Sequence, residues 1–170
     1  MKKFFLYVAT IFVGVQCSSS SEEDFSNRDV SMKEIKNIIL EEQAAWTAGD
    51  AKAYSAHFDE NGLFTNIFGS SFTGYSAFLT RHELLFKGVF QGSKMDQNLT
   101  TLKIIDKEVA VVETITRISE FSHNEHLAGI YIDENGFINT RLLQILKKEK
   151  KEWKIVAYHN VDIKQGIPIP

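Results

Sequence analysis

The stretch LTTLKIIDKEVAVVETITRI, residues 99–118, decides the fold of this 170-residue chain. Apolar and polar side chains alternate around the charged triplet DKE at 106–108, and a period of two is typical of a half-buried β-strand. A short charged triplet between two such runs predicts a hairpin. The same period continues toward the C-terminus and predicts an antiparallel sheet. Its four predicted strands are 96–105, 109–121, 137–148 and 152–163.

Three helices are predicted before these strands. The first begins at Ser31, a good N-cap with a glutamate three residues later, and ends at Gly49, which suits the left-handed residue after a helix. The second helix covers 51–58 and the third covers 75–90, on either side of a strand and turn at 62–74. This order predicts an α+β fold in which a curved sheet wraps over three N-terminal helices.

Composition and charge fit a single domain that does not bind nucleic acid. Lys and Arg number 19 against 22 Asp and Glu, and no basic stripe is present. The sequence contains neither a glycine-rich phosphate loop nor a dinucleotide fingerprint, so we expect no nicotinamide or flavin cofactor. His123 and His126 lie in a polar connection and are too few to form a metal site, so we expect no metal.

The N-terminal residues predict export. Residues 1–17 begin with MKK and continue with an apolar run that is too short to span a bilayer, which is typical of a signal peptide. Cys17 is the only cysteine, which excludes an internal disulfide. Its position before SSSSEED resembles a lipoprotein signal, with lipidation at Cys17 as the membrane anchor at the cell envelope, in the outer membrane or periplasm. Ordinary cleavage, giving a soluble secreted or periplasmic protein, is the alternative.

The remainder of the chain divides into three parts. Residues 18–30 are predicted to be a flexible tether, because they are rich in serine and acidic residues. Residues 31–165 form the predicted domain, and residues 166–170 form a C-terminal tail. There is no internal repeat and no sign of a second domain.

Polar residues within apolar segments mark a candidate pocket. Alternation places Asn66 on one strand face with Phe64 and Phe68. A buried amide must be hydrogen-bonded, so Asn66 either donates to a ligand carbonyl or fixes the turn at Gly69. The two interpretations have equal weight.

Two histidines are candidates for proton transfer. His82 lies on the apolar side of the third helix, where it is either a base near neutral pH or a satisfied core residue. His159 and Asn160 end the last strand, and regular alternation puts them on opposite faces, His159 with Ile155 and Asn160 with Tyr158. One of the two is therefore expected to reach the pocket.

Glu113 is a further candidate base, because burial would raise the pKa of its carboxyl group. A cross-strand ion pair with Arg141 is the interpretation that we favour, since an arginine keeps a carboxylate ionised.

Five segments together resemble one known group of proteins over about residues 31–163. They are EEQAAWTAGDAKAYSAHF (41–58), FTNIFGSSFTG (64–74), RHELLF (81–86), VAVVET (109–114) and EWKIVAYHN (152–160). Their order and spacing resemble the SnoaL-like group of the nuclear-transport-factor-2-like superfamily, and most of all a bacterial polyketide-cyclase-like subgroup. The resemblance implies a cone-shaped half-barrel and pairing as a homodimer.

The resemblance also implies two alternative functions, because this superfamily spans enzymes, ligand binders and dimerisation modules. The first is a pocket for a small apolar molecule, with proton-transfer chemistry such as isomerisation, cyclisation or dehydration. The second is a non-catalytic interaction module that dimerises through the outer face of its sheet. The candidate catalytic residues are His82 and His159. The candidate ligand-binding residues are Trp46, Tyr54, Phe58, Phe64, Asn66, Phe68 and Asn160.

Overall fold

The helices and strands of the computed structural model, which describes residues 19–122 and 127–169, follow the predicted order. The helices are α1 (Ser19–Ala48), α2 (Ala51–Tyr54) and α3 (Tyr75–Lys87). The strands are β1 (Phe58–Thr65), β2 (Ser71–Thr73), β3 (Lys94–Ile104), β4 (Val109–Ser119), β5 (Ile138–Glu149) and β6 (Glu152–Asp162). Within these ranges, no helix is both long and apolar enough to cross a bilayer.

The strands form one curved, unclosed sheet in the order β2-β1-β6-β5-β4-β3. Strands β3 to β6 pair antiparallel as predicted, and Asp106 closes the β3–β4 hairpin by accepting from the backbone N–H groups of Glu108 and Val109, both at 2.8 Å. Strand β1 joins β6 in parallel, which makes the sheet mixed. The predicted α+β class is therefore confirmed.

The first helix begins earlier than predicted. Helix α1 starts at Ser19 and includes the residues expected to be a tether, and Ser31 is a buried residue within the helix instead of its N-cap. A serine with a glutamate three residues later therefore marked a position inside the helix.

Strand β6 contains a bulge at Val156. Ile145 of β5 pairs with Ala157, and the next residue, Leu146, pairs with Ile155, so Val156 has no partner in β5. One extra residue in a strand reverses the alternation of the side chains that follow it.

The bulge corrects the predicted faces of β6. Ile155 points to the core before the bulge, and Tyr158 and Asn160 point to the same inner side after it. His159 is exposed on the outer face, where it pairs with Leu143 of β5. Regular alternation had placed His159 on the face of Ile155, which is wrong because the strand is not regular.

Candidate functional site

A cavity of about 490 Å³ lies between helix α3 and the inner face of the sheet. Six of the predicted site residues line it: Trp46, Phe64, Asn66, Phe68, His82 and Asn160. The other lining residues are Ile67, Arg81, Leu84, Leu85, Gly88, Val89, Phe90, Ile118, Leu127, Ile130, Ile138, Thr140 and Tyr158. The walls are thus largely apolar, with a few polar groups among them.

Three predicted residues of the domain do not line the cavity. The rings of Tyr54 and Phe58 are buried in the core behind it, where Phe58 stacks on Phe78 with ring centres 4.0 Å apart. His159 lies on the outer face of the sheet. The fourth, Cys17, falls outside the described residues, as do His123 and His126.

His82 is both a satisfied core residue and a lining residue. Its Nδ1 lies 2.8 Å from the carbonyl oxygen of Phe78, and since a carbonyl only accepts, Nδ1 carries the proton. The Nε2 lone pair is then left as an acceptor. Burial lowers the pKa of His82 to about 4, an effect that the bond to Phe78 opposes and that the charge of Arg81 reinforces. The imidazole is therefore neutral at pH 7.

Asn66 fixes the turn and also faces the cavity. Its Oδ1 accepts from the backbone N–H groups of Phe68 at 2.9 Å and Ser70 at 3.0 Å. Its backbone carbonyl accepts from Gly69, which has φ +80°. The structural interpretation of Asn66 thus holds, and its Nδ2 makes no hydrogen bond to another described residue. The amide nitrogen is a donor left for a second partner.

Three buried polar atoms on the lining have no hydrogen-bond partner among the described residues. They are Arg81 Nε, Thr140 Oγ1 and Asn160 Oδ1. Buried polar groups in folded proteins are nearly always hydrogen-bonded. The cavity therefore offers both donors and acceptors to a molecule inside it.

Tyr158 lines the cavity, and its hydroxyl group is bonded to the core. This hydroxyl lies 3.0 Å from that of Tyr54. Burial raises the pKa of the Tyr158 phenol above its usual range, so the group stays protonated at neutral pH. When Tyr54 donates to Tyr158, the Tyr158 proton is free for a second partner.

The connection between β4 and β5 covers part of the cavity through Leu127 and Ile130. It is held by Asp162 at the end of β6, whose Oδ2 accepts from the backbone N–H of Tyr131 at 3.0 Å. The Lys164 ammonium donates to the same oxygen at 2.6 Å and to the carbonyl of Gly129 at 2.5 Å. Charged hydrogen bonds therefore fix this wall.

Glu42 is a buried carboxyl that does not line the cavity. It lies on α1 with 1% of its surface exposed, and the Gln144 Nε2 of β5 donates to both of its oxygens at 3.0 Å. Burial raises the pKa of Glu42 to about 8, although the hydrogen bonds to Gln144 oppose this. The carboxyl group is mostly protonated at pH 7.

The favoured interpretation of Glu113 is confirmed. Arg141 Nη1 donates to its Oε1 at 2.6 Å, on the outer face of the sheet and away from the cavity. Across residues 19–122 and 127–169, no cluster of three or more His, Cys, Asp or Glu side chains has the geometry of a metal site.

Arg81, Thr140 and Tyr158 were not predicted from the sequence as site residues. Thr140 is polar at an inward position of β5 between the apolar Ile138 and Leu142, which is a readable signal. Arg81 lies beside His82, but helical spacing alone puts it off the apolar stripe. Tyr158 lies two residues before Asn160 and shares its face, so alternation from Asn160 was a readable signal.

The sequence model of the SnoaL-like domain family matches residues 35–160. The chain belongs to this family. A comparison of this SnoaL-like chain with curated proteins gives no match.

Solved structures share the fold of this SnoaL-like domain at low sequence identity. A protein from Novosphingobium aromaticivorans, provisionally named a scytalone dehydratase, is 14% identical with a TM-score of 0.67, over 82% of this chain and 89% of that one. A ketosteroid isomerase-like protein from Erwinia carotovora is 16% identical, with a TM-score of 0.62 over 78% of this chain and 95% of that one. An NTF-2-like protein of unknown function from Shewanella oneidensis is 14% identical, with a TM-score of 0.62 over 78% of this chain and 99% of that one. These likenesses establish the cone-shaped fold alone.

Proposed function

We propose that the cavity binds a small, largely apolar molecule that carries a few hydrogen-bonding groups. The observation that supports this is a cavity of about 490 Å³ with apolar walls and unpartnered polar atoms on Thr140 and Asn160. Pockets for small molecules are mostly apolar concavities of a few hundred Å³ with a small number of polar groups.

Each polar group has a distinct role in this proposal. Asn66 Nδ2 donates to the ligand, and Asn160 Oδ1 and His82 Nε2 accept from it. The Thr140 hydroxyl does either. Trp46 and Phe64 form the walls.

A fluorescent probe tests binding. N-phenyl-1-naphthylamine is neutral and apolar, and its emission rises when it leaves water. We expect saturable binding to the full chain and a loss of at least tenfold in affinity in Leu85→Trp, which fills the cavity from α3. Leu40→Trp, on an exposed part of α1, is the matched control and should bind as the wild type does. Equal affinity of both variants would mean that the probe binds elsewhere, and the proposal would fail.

Proton-transfer catalysis is a second candidate function. The observation that favours it is that His82, whose neutral ring leaves Nε2 as an acceptor, and Tyr158 line the same cavity. Nε2 would take a proton from a carbon beside a carbonyl group, and Tyr158 would donate a hydrogen bond to the enolate oxygen. A base whose conjugate acid has a pKa of about 4 is weak, so the substrate must have an acidic C–H bond.

Hydrogen exchange tests this chemistry. 2-Tetralone in deuterated buffer should lose its α-protons faster with the protein than without it, as followed by NMR. His82→Ala should return the rate to that of the buffer. Exchange at the buffer rate in the wild type would exclude this chemistry for ketones and leave ligand binding as the function.

We also propose that the outer face of the sheet pairs with a second copy of the chain. Leu63, Leu143 and Val161 lie exposed on β1, β5 and β6 of this face, and exposed apolar patches mark interaction sites. Light scattering should give the mass of a dimer, and Val161→Asp should give a monomer. If such a dimer formed without any probe binding, the non-catalytic interaction module would replace the pocket as the main function.

Export and lipidation at Cys17 belong to the same proposal, supported by the sequence of residues 1–17. Metabolic labelling with a palmitate analogue should mark the wild type and not Cys17→Ser. Unlabelled, cleaved protein in the soluble fraction would favour the secreted alternative.

A further inference from the structure

Arg81 is the charged group of the cavity. Among the lining residues in the described part of the chain, it is the one with a permanent charge, and none is an aspartate or glutamate. The neighbouring His82 is neutral at pH 7, because burial lowers its pKa to about 4. The described residues of the lining therefore carry one net positive charge.

The Arg81 side chain has no anionic partner in residues 19–122 and 127–169. None of the ion pairs or hydrogen bonds described there involves its guanidinium group, and its Nε is buried without any hydrogen-bond partner. Glu42, the buried carboxyl group, is bonded to Gln144 and mostly protonated. Arg141, in contrast, is paired with Glu113.

A half-buried guanidinium without hydrogen-bond partners is unfavourable unless a ligand accepts hydrogen bonds from its N–H groups. Removing a charged donor from water without a hydrogen-bond partner has a large desolvation penalty. The planar guanidinium presents several N–H groups that match the geometry of an oxyanion, and hydrogen bonds between such charged groups are stronger than neutral ones.

We infer that the ligand is an amphipathic anion, with an apolar body against the aromatic walls and one oxyanion group, such as a carboxylate, at Arg81. This inference rests on the proposed binding function and names the chemical class of its ligand. It also gives Arg81 a role in specificity, since neutral molecules with the same body leave the guanidinium unpaired.

Two matched probes separate this inference from the binding function itself. 1-Anilinonaphthalene-8-sulfonate is N-phenyl-1-naphthylamine with an added sulfonate group, so the pair differs by one oxyanion. The full chain should bind the sulfonate about tenfold or more tightly than the neutral probe, in line with the value of a charged hydrogen bond.

Variants of Arg81 carry the test. Arg81→Gln should weaken binding of the sulfonate about tenfold and leave the affinity for the neutral probe within about twofold, which also shows that the cavity is intact. Arg81→Lys keeps the positive charge without the planar guanidinium, so its affinity for the sulfonate should lie between those of the wild type and Arg81→Gln. Lys87→Gln, an exposed cation in the last turn of α3, is the control and should change neither affinity.

The outcomes are distinguishable. If the wild type binds neither probe in the cavity, the proposed function fails. If it binds the neutral probe, and Arg81→Gln binds the sulfonate as tightly as the wild type does, the proposed function stands and the anionic ligand is overturned. Loss of both probes in Arg81→Gln, with a native circular dichroism spectrum, also overturns it, because Arg81 would then shape the cavity without selecting charge.

Discussion

Asn160 lines the cavity, whereas His159, the residue before it in β6, is exposed on the opposite face of the sheet. Asn160→Ala removes an acceptor that has no hydrogen-bond partner among the described residues, so we expect a loss of about threefold to tenfold in affinity for N-phenyl-1-naphthylamine, whose amine is a donor. His159→Ala is the matched control and should bind as the wild type does. A fluorescence titration measures both, and a larger effect at His159 would contradict the assigned faces.

Glu42 should make stability depend on pH. Its pKa is 4.5 in the unfolded chain and about 8 in the folded one, so its contribution to stability is complete below pH 4.5 and is lost as the pH rises through 8. Wild-type stability should therefore fall between pH 6.5 and 8, by up to about 1.4 kcal/mol per pH unit.

Glu42→Gln removes this titration and should flatten the slope in urea unfolding over that range. Glu83→Gln, which alters an exposed position on α3, should keep the wild-type slope. A slope that is the same in Glu42→Gln and the wild type would show that Glu42 does not titrate as described.

His82 should affect the pH dependence of stability in the opposite direction from Glu42. Its pKa is 6.5 when unfolded and about 4 when folded, so its neutral, buried form stabilises the fold above pH 6.5, and this contribution is lost as the pH falls through 4. Nitrogen-15 NMR of the imidazole should show a proton on Nδ1 and a neutral ring down to about pH 5. A titration midpoint near 6.5 would contradict burial of the ring.

Asp162 should control how long a ligand stays bound. Asp162→Ala removes the acceptor of the Tyr131 N–H and of the Lys164 ammonium, so the wall formed by Leu127 and Ile130 is released. We expect the bound probe to dissociate about tenfold faster in stopped-flow fluorescence.

Asp106→Ala is the matched control for this effect. Asp106 also accepts two backbone hydrogen bonds, but in the β3–β4 hairpin and not on the cavity lining. The probe should dissociate from Asp106→Ala at the wild-type rate. Equal acceleration in both variants would indicate that they are generally destabilised, and not that Asp162 holds the wall of the cavity.

Local patterns in the sequence were enough to predict most of the fold. The alternation on either side of Asp106 predicted the β3–β4 hairpin, and the helical period around His82 predicted α3 with its apolar face. The start of α1 was missed, because Ser31 and the glutamate after it fit a helix interior as well as a cap. Serine-rich and acidic composition likewise did not exclude a helix from Ser19.

The candidate site was predicted less completely, because it depends on contacts between distant parts of the chain. Asn66, Phe64 and Phe68 were found from strand alternation alone. Tyr54 and Phe58 have the residue types of a cavity wall, but packing against Tyr158 and Phe78 puts them in the core. The face on which each side chain of β6 lies is set by its pairing with β5, and the local sequence of β6 does not predict that pairing.

Because Val156 has no partner in β5, counting residues along β6 does not by itself give the face of the sheet on which a side chain lies. Removing Val156 would restore regular alternation and leave Asn160 on the inner face and His159 on the outer face, because both residues keep their partners in β5. A relative without the bulge must therefore be aligned with a gap at Val156 before its inward-facing side chains can be compared with Tyr158 and Asn160.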